Sequence, residues 1–287
     1  MKALRLGVVS YLNTTPMIEG LEAAPEVAMV RAVPSRIAEM LRRGEVDVGL
    51  VSFVDVARAG GELTLVPCGM IGCDGPTLTV RLFSAAPLAE VRRVHADTDS
   101  HTSVALCRLL LARLHGVRPE VVDFDARERA GAGVGEEGWP ETVLLIGDKV
   151  VHDSPPAVRY PHQLDLGQAW KQMTDLPFMY ACWMCRTAEL ETAEGRRRVA
   201  LAAALLDRQV RRNRARLDWV VEQNAETKGW PNDLAREYLG RLLRFTVGPR
   251  ERAGAELFLR LAGEEGLAPK GFEARWFDER AEVTPAS

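Results

Sequence analysis

A turn-forming run leads directly into a strand-like segment at residues 72–84, which read Gly72-Cys73-Asp74-Gly75-Pro76-Thr77-Leu78-Thr79-Val80-Arg81-Leu82-Phe83-Ser84. Short strand-like segments alternate with helical ones on both sides of this run, as is typical of α/β units. A second strand-like segment, residues 178–183, carries the chain back towards the first unit. Two such crossovers predict two lobes with a cleft between them, and a cleft is the usual place for a binding site.

The two crossovers divide the chain into a discontinuous first lobe and a continuous second one. We expect the first lobe to comprise residues 1–80 and 184–287, and the second to comprise residues 81–183. Because strands and helices alternate, mainly parallel sheets are expected. A helix remnant and an exposed loop are expected over residues 127–140, and a helical region after residue 187. The helices of that C-terminal region are expected over residues 196–219, 234–245 and 250–266.

The composition is that of a globular protein and narrows the classes of partner. With 47% hydrophobic residues, 27% charged residues and a net charge of −3, the 287-residue chain has no basic excess for binding nucleic acid. No segment approaches the ~20 uncharged apolar residues that a membrane span needs. The N-terminal apolar run is short, contains Arg5 and lacks a cleavage site, so a first strand is expected there rather than an export signal. We therefore expect a cytoplasmic protein, and the sequence leaves its oligomeric state open.

The cysteines and histidines give no support for metal or redox chemistry. Cys182 and Cys185 have the C-x-x-C spacing, but they lie in an apolar strand-like run without the second pair that zinc ligation needs. We therefore expect buried thiols there. The five histidines are scattered, and the glycine-rich motifs that bind nucleotide phosphates are absent. No cofactor is expected.

Polar side chains follow several predicted strands, at points where helices begin. Unpaired N–H groups at a helix start favour anions, and hydroxyl or amide side chains add orientable donors. Each residue alone is more typical of a helix cap than of a ligand site, but together they predict half-sites facing each other across the cleft. For Asp148 three roles stay open, which are binding substrate, acting as acid or base, and holding loop backbone. The residues concerned are Asn13, Ser52, Ser100, Thr102, Ser103, Gly147 and Asp148.

Six motifs follow one another along most of the chain. They are Tyr11-Leu12-Asn13 with Pro16, Arg43-Gly44-Glu45-Val46-Asp47-Val48-Gly49, Gly72-Cys73-Asp74-Gly75-Pro76, Thr98 with Thr102-Ser103, Ile146-Gly147-Asp148, and Asp165-Leu166-Gly167 with Trp170, Thr174 and Leu176-Pro177-Phe178. In this order they resemble the chorismate dehydratase family of the futalosine route to menaquinone. The resemblance implies an α/β, two-lobed fold like that of periplasmic solute-binding proteins of type II.

The resemblance also implies roles for individual residues. Asn13 matches an active-site residue and Thr79 stands at a position that is commonly serine, so both are expected to be catalytic. His101 stands where an arginine is expected. A sister family that makes 1,4-dihydroxy-6-naphthoate is the main alternative, but its members carry a histidine in place of Gly147, so the glycine favours the dehydratase. The residues expected to bind substrate are Ser52, Ser100, Thr102, Ser103, Gly147 and Asp148.

The reaction that the resemblance implies is the loss of water from chorismate, which gives 3-(1-carboxyvinyloxy)benzoate. The enzyme must orient the substrate while a proton leaves the ether carbon. The acceptor of that proton is either Asp148 or the substrate's own enolpyruvyl carboxylate, and the second is favoured because the carboxylate of a Gly-Asp turn is commonly structural. The alternative from another class is a non-catalytic protein that binds a small anion, which the absence of an export signal or lipid-attachment cysteine disfavours.

Overall fold

The computed structural model describes residues 3–97, 99–125 and 138–278, which form two β-sheets flanked by helices. Thr98 and most of the segment predicted at residues 127–140 lie outside the described residues. The strands, in chain order, are β1 (Leu4–Val8), β2 (Val27–Arg31), β3 (Val48–Ser52), β4 (Leu63–Cys73), β5 (Val80–Ser84), β6 (Arg93–Asp97), β7 (Glu120–Phe124), β8 (Thr142–Ile146), β9 (His162–Asp165), β10 (Phe178–Arg186) and β11 (Leu243–Arg244).

The two sheets share one strand pattern. The first has the order β11-β4-β10-β3-β1-β2 and the second has the order β7-β6-β8-β5-β9. In each, the strand second from one edge pairs in parallel with its two neighbours, β1 with β2 and β3, and β6 with β7 and β8. The remaining pairs, β10 with β3 and β4, β11 with β4, and β5 with β8 and β9, are antiparallel.

The expectation of mainly parallel sheets is therefore wrong, because the strands next to the crossovers run against their neighbours. β3 ends at the cleft. β10 arrives from the second sheet, begins at the cleft and therefore runs opposite to β3. β4 leaves towards the second sheet and so opposes β10 as well. Two parallel neighbouring strands need a crossover connection between them, usually a helix. A strand that arrives directly from the other lobe needs no such connection.

The chain passes between the sheets twice. It leaves the first sheet after Cys73 and enters the second at Val80, then returns between Asp165 and Phe178. All of β10 pairs within the first sheet. If the lobes are divided by sheet, the second lobe therefore ends before Phe178 and not at residue 183. The division into two lobes stays a proposal.

β4 is a strand that the sequence did not predict. Pro67 lies inside it, and proline argues against a central strand because it cannot donate to the ladder. The structure accommodates it in a bulge, since Cys182 pairs with Met70 whereas the next residue along β10 pairs with Val66. The intervening residues of β4 leave the ladder, which removes the conflict with the proline.

The C-terminal region is helical, as the sequence predicted. The helix expected over residues 234–245 ends early, and a π-helical turn, Tyr238–Leu242, leads from it into β11. None of the helices within the described residues is long and apolar enough to cross a membrane. The α-helices described are α1 (Thr15–Ile18), α2 (Pro34–Arg42), α3 (Asp55–Arg58), α4 (His101–His115), α5 (Lys149–His152), α6 (Leu166–Thr174), α7 (Ala193–Ala215), α8 (Leu217–Asn224), α9 (Asn232–Glu237) and α10 (Pro249–Glu264).

All five cysteines are buried free thiols, as expected. Burial raises the pKa of Cys182 to about 12 and that of Cys185 to about 12. Thiols with pKa values this high are almost wholly protonated at neutral pH and are poor nucleophiles. The C-x-x-C spacing therefore reflects core packing in β10.

An ion-pair cluster joins the first sheet to α7. Asp47, which precedes β3, accepts hydrogen bonds from Arg5 of β1 at 2.8 Å and from Arg198 of α7 at 2.7 Å. Burial alone would raise the pKa of Asp47, but the hydrogen bonds from both arginines outweigh it and lower the pKa to about 2. The carboxylate is largely buried, with 13% of its side chain exposed, so this cluster ties the C-terminal helices to the sheet.

We expect this cluster to make the fold sensitive to acid. The pKa of Asp47 falls from an ordinary value of 3.8 to about 2 on folding, so its stabilisation is complete above pH 4 and is lost as the pH falls towards 2. Between pH 5 and pH 2 the wild-type protein should lose about 2 kcal/mol more free energy of unfolding than Asp47→Asn. Urea unfolding at both pH values measures this difference, and Asp207→Asn, in an exposed pair with Arg211, is the control. Equal losses in wild type and Asp47→Asn would contradict the assignment.

Candidate active site

A cavity lies between the two sheets, at the ends of their strands. Its volume is about 50 Å³, and the space between its walls, counted together with the open solvent at its mouth, is about 570 Å³. The lining comes from the loops that follow β1, β6 and β8, from β3, β4, β10 and the start of α2, from the first crossover and from the π-helical turn. The lining residues are Val9, Tyr11, Asn13, Pro34, Leu50, Ser52, Ile71, Thr77, Thr79, Val80, Asp99, Ser100, Ser103, Ile146, Gly147, Tyr180, Ala181, Tyr238 and Leu243.

The structure brings most of the predicted site residues to this cavity. Thr102 and Asp148 do not line it, and their side chains bind backbone N–H groups of the opposite sheet's loops instead. The predicted residues that do line the cavity are Asn13, Ser52, Thr79, Ser100, Ser103 and Gly147.

Asn13 presents an unused acceptor. It lies in a 3-10 turn directly after β1, and Thr14 holds that turn by donating its hydroxyl to Val9 O at 3.0 Å and Tyr11 O at 2.7 Å. The Asn13 Oδ1 atom is buried and has no hydrogen-bond partner among the residues that the structure describes. Leaving a buried amide oxygen unpaired costs about 1–3 kcal/mol, so a ligand that donates a hydrogen bond there would remove this cost.

Thr79 is joined to a tyrosine that the sequence did not indicate. Its Oγ1 lies 2.6 Å from the hydroxyl oxygen of Tyr238, and both residues are buried. Burial raises the pKa of Tyr238, and hydrogen bonds with Thr79 and Asn13 only partly offset the shift. The phenol is therefore neutral at physiological pH. The sequence placed Tyr238 in an ordinary helix, and nothing in it signalled the π-helical turn that directs this side chain to the cavity.

A second hydroxyl pair stands beside the first crossover. Thr77 Oγ1 lies 2.8 Å from the hydroxyl oxygen of Tyr180. The carboxylate of Asp165 accepts the backbone N–H of Thr77 at 2.9 Å and that of Leu78 at 2.8 Å, and it also caps α6. Leu78 has a φ of 70°, which a leucine rarely adopts, so Asp165 holds a strained backbone beside the cavity.

The α4 helix begins at the cavity. Ser100 is its N-cap and accepts the Ser103 backbone N–H at 3.3 Å and the Ser103 hydroxyl at 3.0 Å. The capping role expected for such residues is therefore present here. The positive end of a 15-residue helix still faces the cavity and favours an anion there. Ser52, 2% exposed at the end of β3, adds a hydroxyl from the other sheet.

Asp99 gives the cavity a carboxylate that sequence reasoning missed. It accepts hydrogen bonds from the Tyr11 hydroxyl and from Lys149 Nζ, the latter at 2.8 Å. Lys149 also pairs with Asp97, at the end of β6. In the sequence, Asp99 stands in a run of helix-capping residues, and that context concealed its position on the cavity wall.

Three further contacts join the loops of the first sheet to those of the second. Thr102 Oγ1 accepts the backbone N–H of Val54 at 3.0 Å, and Asp148 Oδ2 accepts that of Leu12 at 3.2 Å. His101, in the place where an arginine was expected, has its Nδ1 2.8 Å from the Asp55 carboxylate. Burial raises the pKa of Asp148, and its bond to Leu12 opposes that shift. Of the three roles left open for Asp148, these contacts support the holding of loop backbone.

The donor set of the site is one of hydroxyl, amide and carboxylate groups. Among residues 3–97, 99–125 and 138–278, no three His, Cys, Asp or Glu side chains lie close enough together to hold a metal ion. The expectation that the protein needs no cofactor stays a prediction.

Two sequence comparisons bear on the family of this chain. A family model described as menaquinone biosynthesis matches residues 4–264. A chorismate dehydratase of Thermus thermophilus is 30% identical, over 92% of this chain and 96% of that protein.

Two of the solved structures with similar folds are binding proteins. The periplasmic aliphatic sulphonate binding protein of Escherichia coli has a TM-score of 0.63 at 16% identity, with 94% of each chain covered. The alkanesulfonate-binding protein of Xanthomonas axonopodis pv. citri, bound to MOPS, has a TM-score of 0.64 at 14% identity, with 94% of this chain and 95% of that one covered. These likenesses show the fold that the sequence predicted, a periplasmic-binding-protein-like one. Together with the match over residues 4–264, the identity over almost the whole chain shows that the protein belongs to the menaquinone biosynthesis family that includes chorismate dehydratase.

Proposed function

We propose that the protein is a chorismate dehydratase, a carbon–oxygen lyase that converts chorismate into 3-(1-carboxyvinyloxy)benzoate and water in menaquinone biosynthesis. The observation that carries the proposal is the cavity that Asn13 and Thr79 line together, in which the Asn13 amide oxygen has no partner among the described residues. Both residues match positions in the family's active site. The relative named as chorismate dehydratase, similar along almost the whole chain, supports the same substrate. A cytoplasmic location is part of the proposal, because chorismate is made inside the cell.

The cavity offers its anionic substrate neutral donors. Among the described residues, Asp99 is the charged residue of the cavity lining, and its ion pair with Lys149 partly neutralises its charge. A substrate carboxylate would accept hydrogen bonds at the start of α4 from backbone N–H groups and from hydroxyls such as Ser52. Fixed dipoles in a partly dry cleft can bind an anion without a facing cation.

The elimination breaks the C–H bond of the ether carbon and the C–O bond of the adjacent hydroxyl. The C–H electrons become a ring double bond, the hydroxyl oxygen leaves and takes up a proton, and the ring becomes aromatic. The ring carboxylate acidifies the hydrogen through the diene, so the protein needs to orient the molecule and stabilise the shifting charge. Because the Asp148 carboxylate contacts Leu12 outside the lining, we favour the substrate's enolpyruvyl carboxylate as proton acceptor.

Substitution of Asp148 separates the two candidate acceptors. Asp148→Asn keeps an oxygen that can accept the Leu12 N–H, so we expect kcat within about 5-fold of wild type, whereas a lost general base costs about 100- to 10,000-fold. Asp148→Ala removes the contact, and we expect kcat to fall about 10-fold because the Asn13 loop loses its support. Steady-state kinetics on chorismate measure both variants. A fall in kcat of about 100-fold or more in Asp148→Asn would assign the proton transfer to Asp148.

The geometry at Gly147 weighs against the naphthoate-forming alternative. Its φ is 73°, a conformation that side-chain-bearing residues rarely adopt, and a Cβ there would lie 3.6 Å from the Tyr11 ring. A histidine at this position would be strained by the backbone conformation, although its Cβ would make only an ordinary contact with Tyr11.

Incubation of the purified, metal-stripped protein with chorismate tests the proposal. We expect a product lighter by one water, with a benzoate-like ultraviolet spectrum, detected by chromatography with mass analysis and absent without protein. The control is the same protein incubated with cyclic dehypoxanthine futalosine, the substrate of the alternative. Unchanged chorismate with consumption of the second compound would replace the proposal, and binding without conversion of either would favour the non-catalytic anion-binding protein.

A further inference from the structure

The phenol of Tyr238 lies in the cavity wall with the two candidate catalytic residues. Thr79 comes from the first crossover, Asn13 from the loop after β1, and Tyr238 from the π-helical turn after α9. The Tyr238 oxygen is 2.6 Å from Thr79 Oγ1. Asn13 contributes a buried Oδ1 atom that has no partner among the described residues. The cavity thus brings together three polar side chains that are far apart in sequence.

The chemistry of the two hydroxyls favours one direction for this bond. A phenol is a stronger hydrogen-bond donor and a weaker acceptor than an aliphatic alcohol. The phenol is fully buried, and its hydrogen needs an acceptor, for which Thr79 Oγ1 is in place at 2.6 Å. The hydroxyl hydrogen of Thr79 is then left for the cavity.

We infer that Tyr238 is a positioning residue that sets the Thr79 hydroxyl as a donor to the cavity, and that Thr79 together with the unpaired Asn13 Oδ1 binds the departing hydroxyl of the substrate. The inference rests on the proposed function. A hydroxyl both donates and accepts one hydrogen bond, so it satisfies Asn13 and Thr79 together. A carboxylate has no hydrogen to donate and would face the Asn13 oxygen with like charge, so the two substrate carboxylates belong elsewhere in the cavity.

The pair has a role during the elimination as well as in binding. As the C–O bond breaks, negative charge grows on the leaving oxygen, and the hydrogen bond from Thr79 strengthens with it. The proton taken from the ether carbon balances that charge when water leaves. Tyr238 acts by holding the Thr79 hydroxyl in orientation.

The ring of Tyr238 is held independently of its hydroxyl. It stacks on Trp230 with ring centroids 4.8 Å apart and planes 13° from parallel, and it is fully buried. Tyr238→Phe should therefore fold with its ring in place. Tyr160→Phe is a matched control, because Tyr160 is also buried and donates to Pro140 O at 2.9 Å in the separate core cluster of the second sheet.

The first test is a comparison of kinetics on chorismate. We expect Tyr238→Phe to lower kcat about 10- to 100-fold and to raise KM up to about 10-fold, because the pair holds the substrate hydroxyl in the ground state and holds it more strongly as charge develops in the transition state. Tyr160→Phe should keep wild-type values of both constants. A Tyr238→Phe protein with wild-type kcat would overturn the inference.

The second test does not need turnover. Its probes are chorismate saturated at the 5,6 bond, which cannot become aromatic by losing water, and the 4-deoxy form of that compound. We expect wild type and Tyr160→Phe to bind the hydroxyl form about 10-fold or more tightly than the deoxy form by calorimetry, and Tyr238→Phe to bind both about equally. An unchanged ratio in Tyr238→Phe would reject the inference. The same pattern in a protein that leaves chorismate unchanged would reject the proposed function and keep the hydroxyl site.

Discussion

Asn13→Ala is expected to lower kcat on chorismate by about 100- to 1000-fold, the usual cost of removing one preorganised polar group that stabilises the transition state. The buried Asn13 Oδ1 has no partner among the described residues and is available to accept the substrate hydroxyl. Alanine would remove this acceptor. KM should rise no more than about 10-fold, because other cavity groups bind the two carboxylates.

The matched control for Asn13 is Asn224. Its amide donates to Glu19 Oε2 at 3.0 Å and to Val220 O at 2.9 Å, on helices away from the cavity lining. Asn224→Ala should lose stability without losing kcat. If Asn13→Ala retained full turnover with unchanged KM while Asn224→Ala did the same, Asn13 would have no part in the reaction.

Thr79→Val is expected to lower kcat about 100-fold, because valine keeps the shape of threonine but cannot donate to the leaving oxygen. It also leaves the hydrogen of the buried Tyr238 phenol without its acceptor, which should reduce the free energy of unfolding by about 1–3 kcal/mol. Thr79→Ser keeps the hydroxyl and should keep kcat within about 5-fold. Kinetics and urea unfolding measure the two effects separately.

The second sheet provides the control for Thr79. Thr142 is buried, and its Oγ1 lies 2.9 Å from Ser84 Oγ, outside the cavity lining. Thr142→Val should show a comparable loss of stability with kcat unchanged. Equal kcat values for Thr79→Val and Thr142→Val would mean that the Thr79 hydroxyl serves the fold alone.

The sequence indicated the parts of the site that depend on local pattern. Asn13, Ser52 and Ser100 follow strands at points where helices begin, and strand ends in α/β folds meet at one edge of a sheet. Gly147 lines the cavity for the same reason, since the residue follows β8 directly. These positions follow from topology, which alternating strands and helices make readable.

The remaining parts depend on tertiary contacts that no local pattern encodes. Tyr238 is 159 residues from Thr79 in the sequence, and a π-helical turn directs it to the cavity. Asp99 and Asp148 both follow strands, and no local pattern decides which carboxylate faces the cavity and which binds the loop of the opposite sheet. The structure places Asp99 in the lining and Asp148 against Leu12.

Contacts between loops of the two sheets make the arrangement of the site depend on how closely its two halves approach each other. Asp99 and Asp148, on loops of the second sheet, bind the Tyr11 hydroxyl and the Leu12 backbone of the first. Both contacts flank Asn13 in the chain. We therefore expect the loop that carries Asn13 to be fixed when the halves are together, so that closure assembles the site and excludes water at the same time.

A single-turnover experiment tests the central claim, that the cavity around Asn13 dehydrates chorismate. Wild type and Asn13→Ala, each in excess over chorismate, are mixed with it, and the benzoate-like absorbance and the mass of the product are followed in time. We predict complete conversion by wild type and conversion about 100-fold or more slowly by Asn13→Ala, with chorismate bound by both. Equal rates for the two proteins, or bound chorismate that wild type leaves unchanged, would contradict the account.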